Sequence, residues 1–206
     1  MIKHERGAPE AKRAAILDAA QKLFSRYGYR RTSIDDIARE AEIAKGTVYL
    51  SFKSKEEIFR ALCESMCVRV QAEAARASAM EAPIERRLAA ILEAKYGFYF
   101  DLVQRSPHAA ELMDSKNRLS EDIFTPADRK YAKTLRDTIE TAARRGEIDP
   151  ARAGLDAAGV AELLSASATG IEKTANAPAT FHRRLRDLAR MTTAALTSRA
   201  AEASPK

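Results

Sequence analysis

TSIDDIAREAEIAKGTVYLSFKSKEEIF, residues 32–59, decides the fold of this chain. Ser33 is a good helix N-cap, because its hydroxyl can accept one of the unpaired N–H groups of a first turn. Asp36 follows three residues later, where a capping box wants its acid, and Asp35 adds negative charge at the positive end of the helix dipole. Ile34, Ile37, Ala38 and Ala41 recur at helical spacing, so one face is apolar. A joint at Glu42 and Ile43 leads into a very short helix, about 45–50. Its Val48 points inward, while Lys45, Gly46, Thr47 and Tyr49 face out. Ser54 opens a third helix with the capping box Ser54-Lys55-Glu56-Glu57. Two helices joined by a turn, the second too short and too polar to be core, make a helix-turn-helix.

The same residues resemble the DNA-binding domain of the TetR family of bacterial transcription regulators. The family pattern has an Ala in the first helix of the motif and an apolar residue after the turn, here Ala38 and Ile43. Lys-Gly-Thr-(apolar)-Tyr and Phe-Lys-(Ser/Asn)-Lys follow, here Lys45-Gly46-Thr47-Val48-Tyr49 and Phe52-Lys53-Ser54-Lys55. Two positions depart from it. Glu42 stands where the family usually has Gly, at a cost of about 1 kcal/mol if the turn is left-handed. Ala44 opens the recognition helix where a hydroxyl is common, so a cap is missing.

The resemblance implies an all-α protein of about nine helices. A three-helix DNA-binding domain, residues 1–53, would precede a helical ligand-binding and dimerisation domain, residues 54–206. It implies a homodimeric repressor that binds a palindromic duplex operator and is released by a small-molecule effector. Thr32, Ser33, Tyr49, Lys53 and Lys55 are then placed for phosphate contacts, which fix position without reading sequence. Lys45, Gly46 and Thr47, with Ala44 and Ser51 beside them, would face base edges. Lys can donate to guanine O6 and N7, and a Thr or Ala methyl can touch thymine.

Composition and charge agree with that class. Of 206 residues 46% are hydrophobic, enough for a core, and Trp is absent. Ala is abundant, and Gly and Pro sit between periodic segments, which favours helices over sheet. The net charge is +6, and residues 1–60 hold 13 Lys and Arg against 9 Asp and Glu, so the basic excess concentrates in the motif-bearing segment. No apolar run approaches the ~20 residues of a membrane span, and the N-terminus lacks an apolar signal core. Two cysteines, Cys63 and Cys67, fit a reducing cytoplasm.

The first helix is expected over about 10–27, with Ile16, Ala20, Leu23, Phe24 and Tyr27 as its apolar stripe and Gly28 as its stop. Residues 1–10 read as a loose arm, its Lys3 and Arg6 either along a phosphate backbone or simply solvated. The helix opened by Ser54 is expected to run to about 79 as a connector between domains. Pro83 starts a helix to about 105, whose 95–103 segment is apolar almost all round and hence surrounded by other helices. Ser106-Pro107 opens a short helix to about 115; residues 116–124 read equally as loop or helix. Thr125-Pro126 looks like an N-cap followed by Pro at N1, opening a helix to Arg145. A helix rich in small residues is expected over 150–174, and Pro178 starts the last one.

These last two helices suggest the dimer seam, with Leu155, Leu163, Phe181, Leu185, Leu188 and Thr192 paired in a four-helix bundle. Tyr96, Tyr99 and Tyr131 bring hydroxyls to an apolar region, where they either line a cavity or reach the surface. With the resemblance they suggest an effector site, joined by Lys95, His108, Met113, Asn117 and Leu135.

An enzyme is not expected. His4, His108 and His182 lie in separate segments, and no nucleophile triad, metal-spaced cluster or phosphate loop is visible. Neither cofactor nor metal is therefore expected. Two alternatives use other features: a helical adaptor that binds only protein, and a thiol-sensing regulator built on Cys63 and Cys67. The basic, hydroxyl-bearing face at 44–55 argues against the adaptor.

Overall fold

The structure, a computed structural model, describes residues 7–104, 108 and 119–197. All regular elements among them are helical. Their contacts form two units: Met1–Val68 with Leu102–Thr125, and Arg69–Asp101 with Pro126–Lys206. The arm residues Lys3, His4 and Arg6 lie outside the described residues.

The first unit begins with α1, Gly7–Tyr27. Ile16, Ala19, Ala20 and Phe24 are buried along one face, and Gly28 stops the helix at a φ of 87° with its N–H on the Phe24 carbonyl. Tyr27, expected on that stripe, is 45% exposed, with the Arg26 guanidinium over its ring. Tyr29 takes the inward place instead: its ring lies 5.4 Å from Phe24 and 5.0 Å from Phe59, closing an aromatic trio. Gly28 turns the chain between the two tyrosines, so helical spacing stops predicting direction there.

α2 spans Ile34–Glu40 and α3 spans Lys45–Ser51. The capping box forms as read: the Asp36 N–H donates to Ser33 Oγ at 3.1 Å, and the Ser33 N–H donates to Asp36 Oδ2 at 3.0 Å. The turn after α2 is a Schellman motif. The Ile43 N–H reaches back to the Ala38 carbonyl and the Glu42 N–H to the Arg39 carbonyl. Glu42 occupies the left-handed position with a φ of 56°, so the expected cost of about 1 kcal/mol relative to glycine stands. Ile37, Val48 and Phe52 are fully buried and tie α2 and α3 down, whereas Ile43, expected beside them, is only half-buried.

α4, Lys55–Ser78, passes without a break from the first unit into the second. Ile58, Phe59 and Leu62 are buried on it, as are Cys63 and Cys67, which no disulfide joins. Next come α5 (Ile84–Leu92), a π-helical turn (Glu93–Gly97) and α6 (Phe98–Gln104), the last of which leaves the second unit after Asp101. α7 (Glu121–Arg144), α8 (Ala157–Thr174) and α9 (Pro178–Leu196) follow. Leu88, Ile91 and Leu92 of α5 pack with Leu135 and Ile139 of α7, Leu164 of α8, and Phe181 and Leu185 of α9.

Three boundaries differ from the expectation. The 83–105 helix is interrupted by the π turn, and of its apolar 95–103 segment Phe98, Tyr99, Leu102 and Val103 are only half-buried. α7 begins at Glu121, so 121–124 is helix and Pro126 lies inside it; residues 116–118 are outside the described residues. Pro126 is the sixth residue of α7, one turn past its start, so the helix forgoes there the bond that an N–H would make to the Asp122 carbonyl. The expected 150–174 helix is two pieces: a 3₁₀ turn at Pro150–Ala153, then α8 capped by Asp156. Gly154, at a φ of 70°, makes the break. The expected short helix at 107–115 lies outside the described residues except for His108.

The π turn is pinned by charge. His182 of α9 bonds Glu93 through Nδ1 and Asp101 through Nε2 at 3.0 Å, and Arg186 approaches Glu93 at 3.5 Å. Gly97 leaves room for this pair: a Cβ would stand 2.5 Å from the Glu93 carboxylate and 3.2 Å from the His182 ring, so a side chain here would push the carboxylate aside. Two carboxylates on the two ring nitrogens need a doubly protonated imidazole. Burial opposes that charge, but the Asp101 and Glu93 carboxylates outweigh it and raise the His182 pKa above its ordinary value. A raised folded value gives stability that is complete below the unfolded pKa of about 6.5 and lost as pH rises through the folded value. His182→Gln should therefore destabilise by about 1–2 kcal/mol at pH 6, with the gap shrinking towards zero by pH 9. Thermal unfolding across that range checks it; a gap constant with pH would show that the imidazolium is not the bridging species.

Candidate nucleic-acid interface

α3 is anchored by Val48 and by little else of its own. Around that anchor Lys45, Gly46, Tyr49 and Leu50 turn outward; Tyr49 is 47% and Leu50 89% exposed. Nothing lies within 4 Å of a Cβ built on Gly46, so this face is open to a large partner. Ala44 carries no side-chain cap, as expected. Thr47 and Ser51 are half-buried at its edges, and Lys53 stands exposed just beyond. The Lys53 N–H donates to Glu57 at 2.6 Å, and the Glu57 N–H to Ser54 Oγ at 3.1 Å, which fixes the chain as it leaves α3. Arg13 of α1 backs this exit, its guanidinium 4.1 Å from the Phe52 ring centre and 3.3 Å from the Ser51 carbonyl.

Two expected phosphate contacts are corrected. The Thr32 side chain is buried, and its hydroxyl donates to the Gly28 carbonyl at 2.9 Å. Lys55 turns inward: its ammonium donates to the Tyr29 and Thr32 carbonyls at 2.8 Å each and lies 4.5 Å from the Tyr29 ring centre. Both hold the loop between α1 and α2 together. Ser33 remains at the surface, but its hydroxyl is occupied by Asp36.

Lys45 is the outward cation of α3, and Asp35 of α2 meets it at 2.8 Å. That hydrogen bond, with the carboxylate's charge, raises the Lys45 pKa, so it is an ammonium at any physiological pH. From sequence alone Asp35 has only a helix-dipole role and Leu50 none. Leu50 follows from the helical phase set by Val48. Asp35 and Lys45 are separated by a turn, so no local spacing reveals the pair.

The family model for bacterial regulatory proteins of the tetR type matches residues 16–62, the span that contains this whole arrangement. The chain carries a TetR-family DNA-binding domain. It is a DNA-binding transcriptional regulator, with α2 and α3 as its helix-turn-helix. Beyond the motif, the TetR-type likeness extends over most of the chain. It is 28% identical to the transcriptional repressor ComR of Escherichia coli over 190 residues, 88% of each protein. It is 29% identical to the A-factor receptor protein of Streptomyces griseus over 167 residues, 79% of this chain but only 54% of that protein. The solved SmeT–triclosan complex shares its fold at a TM-score of 0.62 and 24% identity, covering 92% of this chain and 93% of that one.

In the second unit, the residues expected around an effector part company. Tyr131 is a core residue, its hydroxyl donating to the Ile91 carbonyl at 2.9 Å; burial, then the Tyr96 and Asp128 charges, push its pKa well up. Leu135 is fully buried beside it. Lys95 pairs with Asp128 at 2.9 Å and stacks over the Tyr131 and Tyr96 rings. Tyr99 is half-buried against Phe98. His108 belongs to the first unit, and Met113 and Asn117 lie outside the described residues. Tyr96 alone of the expected set lines an open groove of about 540 Å³ between α7 and α8. Ala132, Ala158, Ala161 and Ala166 make its apolar lining, and Arg129, Lys133 and Arg136 stand along its α7 side.

The expected dimer residues divide likewise. Phe181 and Leu185 have no exposure and belong to the core of their own chain, because α9 packs first against α5. Leu155 and Leu188 are partly buried against that core, and Thr192 is half-buried. Leu163, at 55% exposed, stays outside, and Met191, at 71%, joins it. Among the described residues no helix is long and apolar enough to cross a membrane, and no three His, Cys, Asp or Glu side chains are placed to hold a metal.

Proposed function

We propose that this protein is a homodimeric repressor that binds a palindromic operator through α3 and releases it when a small molecule binds. Residues 1–53 are the reading domain and 54–206 the regulatory domain. It works in the cytoplasm without cofactor or catalytic activity. The outward face of α3 carries this reading: a glycine with open space above it, a charged lysine beside it, and tyrosine and leucine exposed on the same short helix. A face so exposed has no role in its own core and fits the major groove. Lys53 and Tyr49 are the phosphate contacts of this reading, and Lys45, Gly46 and Thr47 face the bases.

The dimer uses the outer rows of α8 and α9, Leu163, Ser167, Gly170 and Thr174 beside Arg184, Leu188, Met191 and Ala195. Arg184 donates to the Thr174 hydroxyl at 3.3 Å and joins the two rows. The effector enters the groove between α7 and α8, whose size suits a small ligand. Repression is what ComR is named for, and triclosan in SmeT shows a small molecule held by a protein of this fold. Burial of both thiols, Cys63 at 3% and Cys67 at 7% exposed, does not favour the thiol-sensing alternative.

The test is reciprocal binding. Duplexes enriched from randomised DNA by the protein should contain inverted half-sites, and their affinity should fall steeply with salt. Triclosan and other aromatic or amphipathic probes that raise the melting temperature should weaken this duplex, typically by about 5–150-fold. The duplex should weaken each probe by the same factor. Probes that bind equally with and without duplex would remove the release mechanism; failure to enrich any site would remove operator binding.

A further inference from the structure

We infer that Asp35 is a specificity-determining residue of the DNA-reading surface, holding Lys45 for base contact and penalising DNA that offers it only phosphates. The inference rests on the reading that α3 enters the major groove. Asp35 and Lys45 meet at 2.8 Å with side chains 55% and 54% exposed, on the side where Gly46 and Tyr49 are open. The fold has little need of this carboxylate, since Asp36 already serves the Ser33 cap and pairs with Arg39 at 3.2 Å. An exposed ion pair adds little stability either. Its effect is felt by an approaching polyanion.

An ammonium has three N–H donors. With one on Asp35, two remain, which matches the two acceptors O6 and N7 of guanine. The carboxylate thus fixes where the ammonium points without using it up. On a sequence lacking that guanine, Lys45 must leave Asp35 to reach a phosphate. The bare carboxylate then faces the backbone, and the neutralised pair releases fewer counterions than a lone lysine would. Non-cognate binding is weakened more than cognate binding.

Asp35→Asn, Asp35→Glu, Lys45→Ala and the Asp35→Asn/Lys45→Ala double variant test this by fluorescence anisotropy over a salt series. The probes are a duplex selected from randomised DNA by the wild-type protein and a scrambled duplex of equal composition. Asp35→Asn should bind the scrambled duplex more tightly, with a log–log salt slope steeper by about one. Its selected-to-scrambled ratio should fall by about tenfold, within the range of one base contact. Asp35→Glu, which keeps the charge, should keep the ratio, and thermal unfolding should show all variants folded. In the Lys45→Ala background Asp35→Asn should no longer move the ratio. Wild-type affinity, slope and ratio in Asp35→Asn would overturn the inference, as would a ratio change undiminished without Lys45. If Lys45→Ala itself leaves the ratio unchanged, the reading of α3 as base reader fails and the inference falls with it.

Discussion

Leu163→Arg is expected to yield a monomer. Leu163 lies in the outer row of α8 with more than half its surface exposed, beside the still more exposed Met191 row of α9. In a two-fold pairing of these rows each substitution appears twice. Each buries a guanidinium without a partner, at a cost of roughly 3 kcal/mol or more. Two such costs weaken the dimer by roughly 10⁴-fold, enough to separate protomers at micromolar concentration. Sedimentation velocity measures this directly. Far-UV circular dichroism should be unchanged, because Leu163 leaves the core of its own chain intact. Operator affinity should collapse to that of one half-site. A variant that stays dimeric and binds operator normally would place the interface elsewhere. Phe181→Arg is the wrong probe for this question: with no exposure in its own chain and its ring stacked 4.0 Å from Phe100, it would unfold the unit.

The second large effect concerns Lys55. Its ammonium gathers the Tyr29 and Thr32 carbonyls, with the Arg30 carbonyl further off at 3.4 Å. Lys55→Ala removes charge-assisted bonds that hold the loop against α4, at about 3 kcal/mol. Urea unfolding followed by circular dichroism should show that loss, and hydrogen exchange should localise it to α2 and α3. Lys55→Arg should rescue little, since a planar fork cannot converge on carbonyls set around a point. Selected and scrambled DNA should both bind less well, through loss of a properly held motif. Unchanged stability with a shallower salt slope would instead return Lys55 to the phosphate backbone.

Lys55 also shows where sequence reading stops. Much that is decided within a few residues was legible: the Ser33–Asp36 box, the turn at Glu42, the uncapped Ala44, the inward Val48 and the stop at Gly28. Lys55 finds its partners more than twenty residues upstream, and a charged residue after a recognition helix looks the same whether it turns towards DNA or inward. The Asp35–Lys45 pair was hidden for a related reason, since it depends on the angle between two helices. In the second unit, heptad-like spacing on α9 identified an apolar face correctly but not its occupant. Phe181 and Leu185 serve their own core, and in the proposed dimer the outer seam would fall to residues such as Met191 that interrupt a polar row. Thr125-Pro126 satisfied the rule for a helix start, but Ser120 had already supplied one five residues earlier, its carbonyl accepting the Ile123 and Phe124 N–H groups.

The widened turn at Glu93–Gly97 acts as a phase slip. Inward positions on α5 are 84, 87, 88, 91 and 92, and an unbroken 3.6-residue count carries them to 95 and 99. The buried residues are Tyr96 and Phe100, one place later, so the slip is one residue, or about 100° of rotation. Superposing the two phases makes 95–103 look apolar on every side, although each half keeps a single inner face. The same slip turns Phe100 onto Phe181 and Asp101 onto His182. In a chain with an unbroken α-helix here, the inside positions of α6 would fall one residue earlier, and Phe100 and Asp101 would turn away from Phe181 and His182.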